Sequence, residues 1–253
     1  MRLKRSLSHL AFMMKALLQL VEAYTITSLN DAVRELERQF PEVLWSGNRH
    51  SNQVALTFDD GPHERDTPAL LAVLAKHGVT GTFSWLGERV EQMPELVSAA
   101  AAAGHQLMLH GYRHRSFLVE QPETLHAMLD RTRELLARHS GRDPLTITSV
   151  RPPFGHLTRA LARRLLAWGY QPVICSIMPV HWLLPAELSV RQVVRQTESG
   201  SLIVLHETLG GPPVAHLTDQ ILTRLAGRGF SYVTVDALRA GRATAGGAPS
   251  YTR

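Results

Sequence analysis

Seven short runs of β-branched, aromatic and aliphatic residues, spaced by longer helical patterns, limit this chain to a narrow choice of folds. The runs are QVALTF (53–58), VTGTFSWL (79–86), HQLML (105–109), TITSV (146–150), QPVICSI (171–177), SLIVLH (201–206) and FSYVTV (230–235). Between them lie TPALLAVLAKHG (67–78), MPELVSAAAAAG (93–104), QPETLHAMLDRTRELLARHSG (121–141), LTRALARRLLAWG (157–169) and AHLTDQILTRLAGRG (215–229), several closed by glycine. Thr67 is placed to cap the first of these helices, with Pro68 in its opening turn. Strand alternating with helix is the signature of a parallel α/β architecture. No glycine-rich dinucleotide loop follows any strand, and polar residues gather where strands end. A (β/α) barrel therefore fits better than an open doubly wound sheet, and in such barrels the loops after the strands form the active face.

Those loops carry unusual residues. Strand one runs into Asp59-Asp60-Gly61-Pro62, and strand three into His110-Gly-Tyr-Arg-His114. Strand four precedes Arg151-Pro-Pro-Phe-Gly155, strand five precedes Met178-Pro-Val-His181-Trp182, and strand six ends on His206. Two adjacent carboxylates repel, and burying either costs several kcal/mol unless a cation faces it. A metal, a positive side chain or both must answer Asp59 and Asp60. Histidines four residues apart can present two imidazoles to one zinc ion. Each signal alone has an ordinary explanation. Asp-Asp-Gly-Pro can be a solvated turn, and Arg-Pro-Pro a rigid loop start. Among 13 histidines a four-residue spacing arises easily by chance. Met178 and Trp182 fit a core, and His206 a satisfied core histidine. The functional signal is their joint order at the strand ends of one α/β repeat.

The bulk properties exclude other classes. A 253-residue chain with 44% apolar and 19% charged residues can bury a sizeable core and is not disordered. The net charge of +5 comes from 24 arginines and 3 lysines. The arginines are scattered through the helical segments rather than clustered, which argues against nucleic acid as a partner. An acidic surface, such as a cell wall or anionic lipid, remains compatible. The lone Cys175 rules out an internal disulfide and leaves the redox compartment open.

Residues 1–50 read as a helical extension, in which Ser28 can cap LNDAVRELERQF before Pro41. The opening residues 1–24 are basic and amphipathic, interrupted by His9 and Lys15, and too short and polar to span a bilayer. Packing on protein, an atypical export signal and membrane-surface association are all compatible with them. Localisation and oligomeric state stay open. Residues 241–253 read as a loose tail.

TFDDGP, H-x3-H, RPPFG, a hydrophobic-x-Trp and IVLH, in this order, resemble the motif series of the polysaccharide deacetylases, the NodB-homology proteins of carbohydrate esterase family 4. The resemblance covers about residues 52–238 and places a catalytic domain at 52–240. It implies a distorted (β/α) barrel of about seven parallel strands, one divalent metal ion (most commonly Zn2+), and hydrolytic removal of acetyl groups from N-acetylated sugars of a chitin-like or peptidoglycan-like polymer. Carried over by position, Asp60, His110 and His114 bind the metal and Asp59 is the general base. Arg151 orients Asp59, the main-chain N–H of Phe154 supports the oxyanion, and His206 is the general acid. Leu205 and Trp182 line the acetyl pocket. The family implies the cell envelope or exterior. No clean signal peptide is visible, so the cytoplasm stays open.

Two departures bear on activity. Gly111 stands where the family has Ser or Thr, which implies a looser metal-bearing turn. Met178 and His181 stand where the family has acids that steady Arg151 and tune the acid histidine. Without them His206 should bind its proton less tightly, and a cationic His181 would act in the same direction, unless Glu207 substitutes. An O-acetyl esterase, a small-amide hydrolase and a degenerate glycan-binding homologue are the alternatives these changes leave open.

Overall fold

The computed structural model describes residues 30–207 and 210–245. The expectations for residues 1–24 and for Ser28 fall outside them. Helix α1, residues 30–39, belongs to an N-terminal unit, Met1–Gln39, that is distinct from the body of the protein. Its exposed side carries Arg34–Asp31 and Arg38–Glu35 pairs at 3.4 and 2.6 Å.

From Phe40 onward the chain forms one compact unit. Its strands are β1 (Gln53–Asp59), β2 (Thr82–Trp85), β3 (Gln106–Leu109), β4 (Ser149–Val150), β5 (Gln171–Pro172), β6 (Leu202–His206) and β7 (Ser231–Tyr232). The helices are α2 (Asp66–His77), α3 (Gly87–Gln92), α4 (Pro94–Ala102), α5 (Pro122–Ser140), α6 (Arg159–Ala167), α7 (Ala186–Gln196), α8 (Val214–Leu225) and α9 (Val235–Ala245). All strand pairs are parallel, in the order β5-β4-β3-β2-β1-β6, with β7 against the start of β1.

The expected distorted barrel is what forms, and the distortion has a local cause. Between β5 and β6 the lower gap is filled by the segment before β1. Leu44 donates its N–H to the Pro172 carbonyl and accepts from the Ile174 N–H, while the Gly47 N–H donates to Gly200. Higher up, Ile177 bridges directly to Ile203. The expected strand 171–177 is thus split between two partners, and regular pairing survives only at Gln171–Pro172. The compact unit also begins well before the expected boundary at 52, because Val43 and Leu44 are core residues. At the other end α9 continues to Ala245, into the segment expected to be tail.

Alternation along each strand sorts the core into layers. Leu56, Phe58, Phe83, Trp85, Leu107, Leu109, Ile203 and Leu205 point outward and pack with Leu70, Leu129, Leu136, Leu217 and Ile221 from the surrounding helices. Ala55, Met108, Val173 and Leu202 close the barrel floor with Leu44, Val235 and Leu238. Above that floor the buried residues turn polar: Thr57, Asp59, Ser84, His110 and Arg151. The barrel therefore holds its buried charge at the carboxyl ends of the strands, while the floor beneath is apolar apart from neutral, hydrogen-bonded side chains such as Thr82 and Gln106.

Thr67 does not cap α2. The helix starts at Asp66 behind Arg65, which makes no side-chain cap. The Thr67 hydroxyl instead accepts the His63 N–H at 2.8 Å and donates to Glu207. Helices α3, α7 and α9 were not apparent in the sequence pattern. The first is too short to show periodicity, and the other two carry their apolar positions among closely spaced polar ones.

Candidate active site

Three side chains converge at the barrel mouth. Asp60 Oδ1 lies 3.3 Å from His110 Nε2 and 3.4 Å from His114 Nε2. One ligand atom from each of these residues falls within 4.8 Å of the others, the one such cluster among the described residues. The His110 Nδ1 is 2.8 Å from the Arg151 carbonyl oxygen. A carbonyl can only accept, so Nδ1 carries the proton and the neutral ring directs the Nε2 lone pair at Asp60. Asp60 Oδ1 is itself buried without a hydrogen-bond partner among the described residues. A carboxylate oxygen and imidazole lone pairs aimed at one point repel unless a cation lies between them, and this donor set fits a divalent metal with an open position. The titration behaviour agrees. Burial pushes the Asp60 carboxyl up, but the facing His110 and His114 outweigh it and hold it below the usual range. For His110 burial acts downward, and the Asp59 and Asp60 carboxylates overcome it to raise the imidazole.

Asp59 faces the other way. Its Oδ1 accepts from Arg151 Nη1 at 2.5 Å, while Oδ2 stays 4.0 Å from His110 Nε2. The adjacent acids thus separate their roles through the backbone, because Asp60 adopts a left-handed conformation with φ 73°. Arg151 has no acid from the fifth loop to steady it. The Ile174 carbonyl takes its Nε and Nη2 hydrogens at 2.9 and 2.7 Å, and the Thr57 hydroxyl takes a third at 2.8 Å. Thr57 was not singled out from sequence. Its position two residues before Asp59, on the same strand face, is the signal that could have found it.

On the opposite side His206 ends β6 next to Asp59 in register. The Trp182 ring stands edge-on to it at 5.0 Å and the His181 ring lies at 5.6 Å. His181 is neutral here. Its Nε2 accepts the main-chain N–H of His206 at 3.0 Å, which requires the lone pair, and burial lowers its pKa to about 4. His181 is therefore a neutral brace for the end of β6. Burial also lowers the His206 pKa despite Asp59 and Asp60, and among the described residues its Nδ1 has no hydrogen-bond partner. Glu207 does not replace the missing acid: its carboxyl bonds to Trp85 and Thr67, behind the Asp60 turn.

Leu205 is also displaced from its expected role. It pairs with Phe58, whose ring packs on Phe83 at 5.2 Å in the outer layer, so Leu205 faces the helices. Alternation puts Val204, two residues before His206 and opposite Thr57, on the same strand face as His206. Phe154, 60% exposed with φ 63°, sets its ring against His114 at 4.4 Å. Cys175 lies near Arg151 and Asp59, and burial pushes its thiol up to about 11, so it stays protonated.

The turn between the two histidines is not loose, although Gly111 lacks the hydroxyl of the family pattern. The Gly87 and Glu88 N–H groups at the start of α3 donate to the Gly111 and Tyr112 carbonyls, each at 3.0 Å. The Tyr112 hydroxyl donates to Glu91 at 2.8 Å, and Arg131 holds the other Glu91 oxygen at 2.6 Å. Gly111 has φ 93°, and a Cβ there would sit 2.9 Å from the Phe117 ring. Restoring the family residue by Gly111→Ser should therefore destabilise the fold by about 1–3 kcal/mol. Urea unfolding measures this, and an unchanged or raised midpoint would refute it.

A carboxylate–arginine pair beside an Asp-His-His cluster, at the carboxyl ends of parallel barrel strands, has the makings of a mononuclear metallohydrolase. Comparison with known proteins makes the class specific. Residues 46–173 match the polysaccharide deacetylase family model. The chain is 31% identical over 197 residues to a peptidoglycan-N-acetylglucosamine deacetylase of Bacillus cereus, covering 77% of this chain and 70% of that protein. It is 31% identical over 191 residues to a chitooligosaccharide deacetylase of Rhizobium leguminosarum bv. trifolii, covering 70% and 87%. The crystal structure of a peptidoglycan N-acetylglucosamine deacetylase, solved in complex with 4-naphthalen-1-yl-N-oxidanyl-benzamide, superposes with a TM-score of 0.74 at 29% identity, covering 79% of this chain and 93% of that one. The chain belongs to the polysaccharide deacetylase family.

Proposed function

We propose that this protein is a metal-dependent amidohydrolase that removes acetyl groups from N-acetylated sugars of a peptidoglycan-like or chitin-like glycan. The observation that carries the reading is the buried, unpartnered Asp60 Oδ1 facing two imidazole Nε2 atoms. Asp60, His110 and His114 would hold one divalent cation, and their N/O character suits zinc. When bound, the cation supplies Lewis acidity, polarising a carbonyl oxygen and acidifying water.

The chain's own residues do the rest. Arg151 occupies Asp59 Oδ1 and leaves Oδ2 toward the cluster, so Asp59 can take the proton of an attacking water. The Arg151 charge keeps that carboxylate oriented in a buried setting. His206, on the other flank, delivers a proton to the departing sugar nitrogen. Trp182, edge-on to His206, and Val204 close the side where an acetyl methyl would lie, and the Phe154 N–H supports the acyl oxygen.

No helix among the described residues is long and apolar enough to cross a membrane. The relatives that act on peptidoglycan favour work at the cell envelope.

A second reading follows from the unpartnered Nδ1 and lowered pKa of His206. An ester's leaving alcohol depends less on a well-tuned acid than an amine does, so an O-acetyl glycan is the alternative substrate. Comparing acetate release from N-acetylglucosamine oligomers and acetylxylan distinguishes the two. The amide reading expects higher kcat/KM on the oligomers, and a preference for acetylxylan would overturn it.

A further inference from the structure

Among the described residues, Glu207 is the one fully buried carboxyl that the proposed reaction does not use. Its two oxygens each meet a neutral donor: Oε1 accepts the Trp85 indole N–H at 2.8 Å, and Oε2 accepts the Thr67 hydroxyl. No cation among the described residues pairs with it, and burial raises its pKa to about 8. A buried acid without a cation is costly to keep, so its position calls for an account.

The carboxyl lies directly behind the Asp60 turn. A Cβ placed on Gly61 would fall on Glu207 Oε1 and on Trp85 Nε1, so the carboxyl and the indole pack against the Gly61 backbone itself. The Glu207 N–H donates to the Asp59 carbonyl at 2.9 Å, which ties the same residue to the strand end just before the turn. Leu86, next to Trp85, donates its N–H to the Gly61 carbonyl at 3.0 Å. Thr67 holds the far side of the loop by accepting the His63 N–H at 2.8 Å. Ends of β2 and β6 and the first turn of α2 are thus joined through one side chain, around a loop in which Asp60 holds φ 73°. A non-glycine residue persists in that conformation only when its surroundings over-determine it.

We propose that Glu207 is a positioning residue for Asp60: wedged between Trp85, Thr67 and the Gly61 backbone, it fixes the left-handed turn that aims Asp60 at His110 and His114, and thereby sets the site's affinity for a divalent cation. This rests on the reading of Asp60 as a metal ligand. Outer partners of this kind typically tune metal affinity by 10–100-fold.

The test is Zn2+ affinity by chelator competition, together with the visible absorption of the Co2+-substituted protein, in wild type, Glu207→Ala and Glu207→Gln. Glu207→Ala should weaken zinc binding about 10–100-fold and alter the cobalt bands. Glu207→Gln, which can keep both contacts by accepting from Trp85 and donating to Thr67, should stay within about threefold of wild type. Should Glu207→Ala fail to fold, Trp85→Phe and Thr67→Val each remove one contact and should each weaken zinc measurably. Variants with lowered melting temperature but wild-type zinc affinity and cobalt spectrum would overturn the proposal and assign Glu207 a structural role only. Wild-type protein that binds neither metal would instead overturn the metal-site reading on which it rests.

Discussion

Asp59→Asn should lower kcat by about 10²–10⁴-fold while leaving the affinity for zinc within a few-fold of wild type. Asparagine keeps the volume of the side chain, and its carbonyl oxygen can still accept from Arg151 at the position of Oδ1. What it loses is the free oxygen facing the cluster, the only atom of this residue able to take a proton from water. Because Asp60 and the two histidines form the cluster without Asp59, the metal should stay. Acetate release and zinc content measured on one sample separate the two effects. Retained turnover would remove Asp59 from the role of base, and loss of zinc would make it a ligand instead.

The second large effect is on stability. Arg151 and Asp59 form a 2.5 Å ion pair whose side chains are 5% and 3% exposed. Removing one partner of such a pair leaves the other charged and buried, at a cost of about 3–5 kcal/mol. Arg151→Ala also strips the donors from the Ile174 carbonyl and the Thr57 hydroxyl. For a domain of this size the loss corresponds to a melting temperature lower by about 10 °C. Arg151→Lys keeps the charge without the fork and should recover only part of the difference. Urea titration gives the number. A loss below about 1 kcal/mol would mean that Asp59 finds another partner and that the pair is not the anchor described here.

Much of this site is readable from sequence because its residues sit at strand ends, where a short run of types carries the meaning. Asp59, Asp60, His110, His114 and Arg151 come together as their order suggests. The misreadings arise where the deciding fact is a direction or a distant partner. Leu205 was expected in the pocket, but strand alternation turns it outward with Phe58. Thr67 has the residue type of a cap, and its hydroxyl answers Glu207, which is 140 positions away in sequence. The sequence leaves the charge of His181 open, the main-chain N–H it accepts decides its state, and no side-chain pattern encodes that contact. Leu44 packs into the barrel floor and also fills the gap beside β5 through backbone bonds, which leave no trace in composition. Gly111 is the reverse case. The missing hydroxyl is visible in sequence, while the backbone bonds from α3 and the Tyr112–Glu91–Arg131 contacts that hold its turn span three elements.

The most direct test of a metal-dependent deacetylase is to strip the wild-type protein with a chelator, add zinc in steps, and follow acetate release from N-acetylglucosamine oligomers and peptidoglycan. Release should be absent from the stripped protein and rise with zinc until one equivalent per chain is bound. Acetate release that is independent of added metal, or none from either glycan with the site filled, would contradict the account.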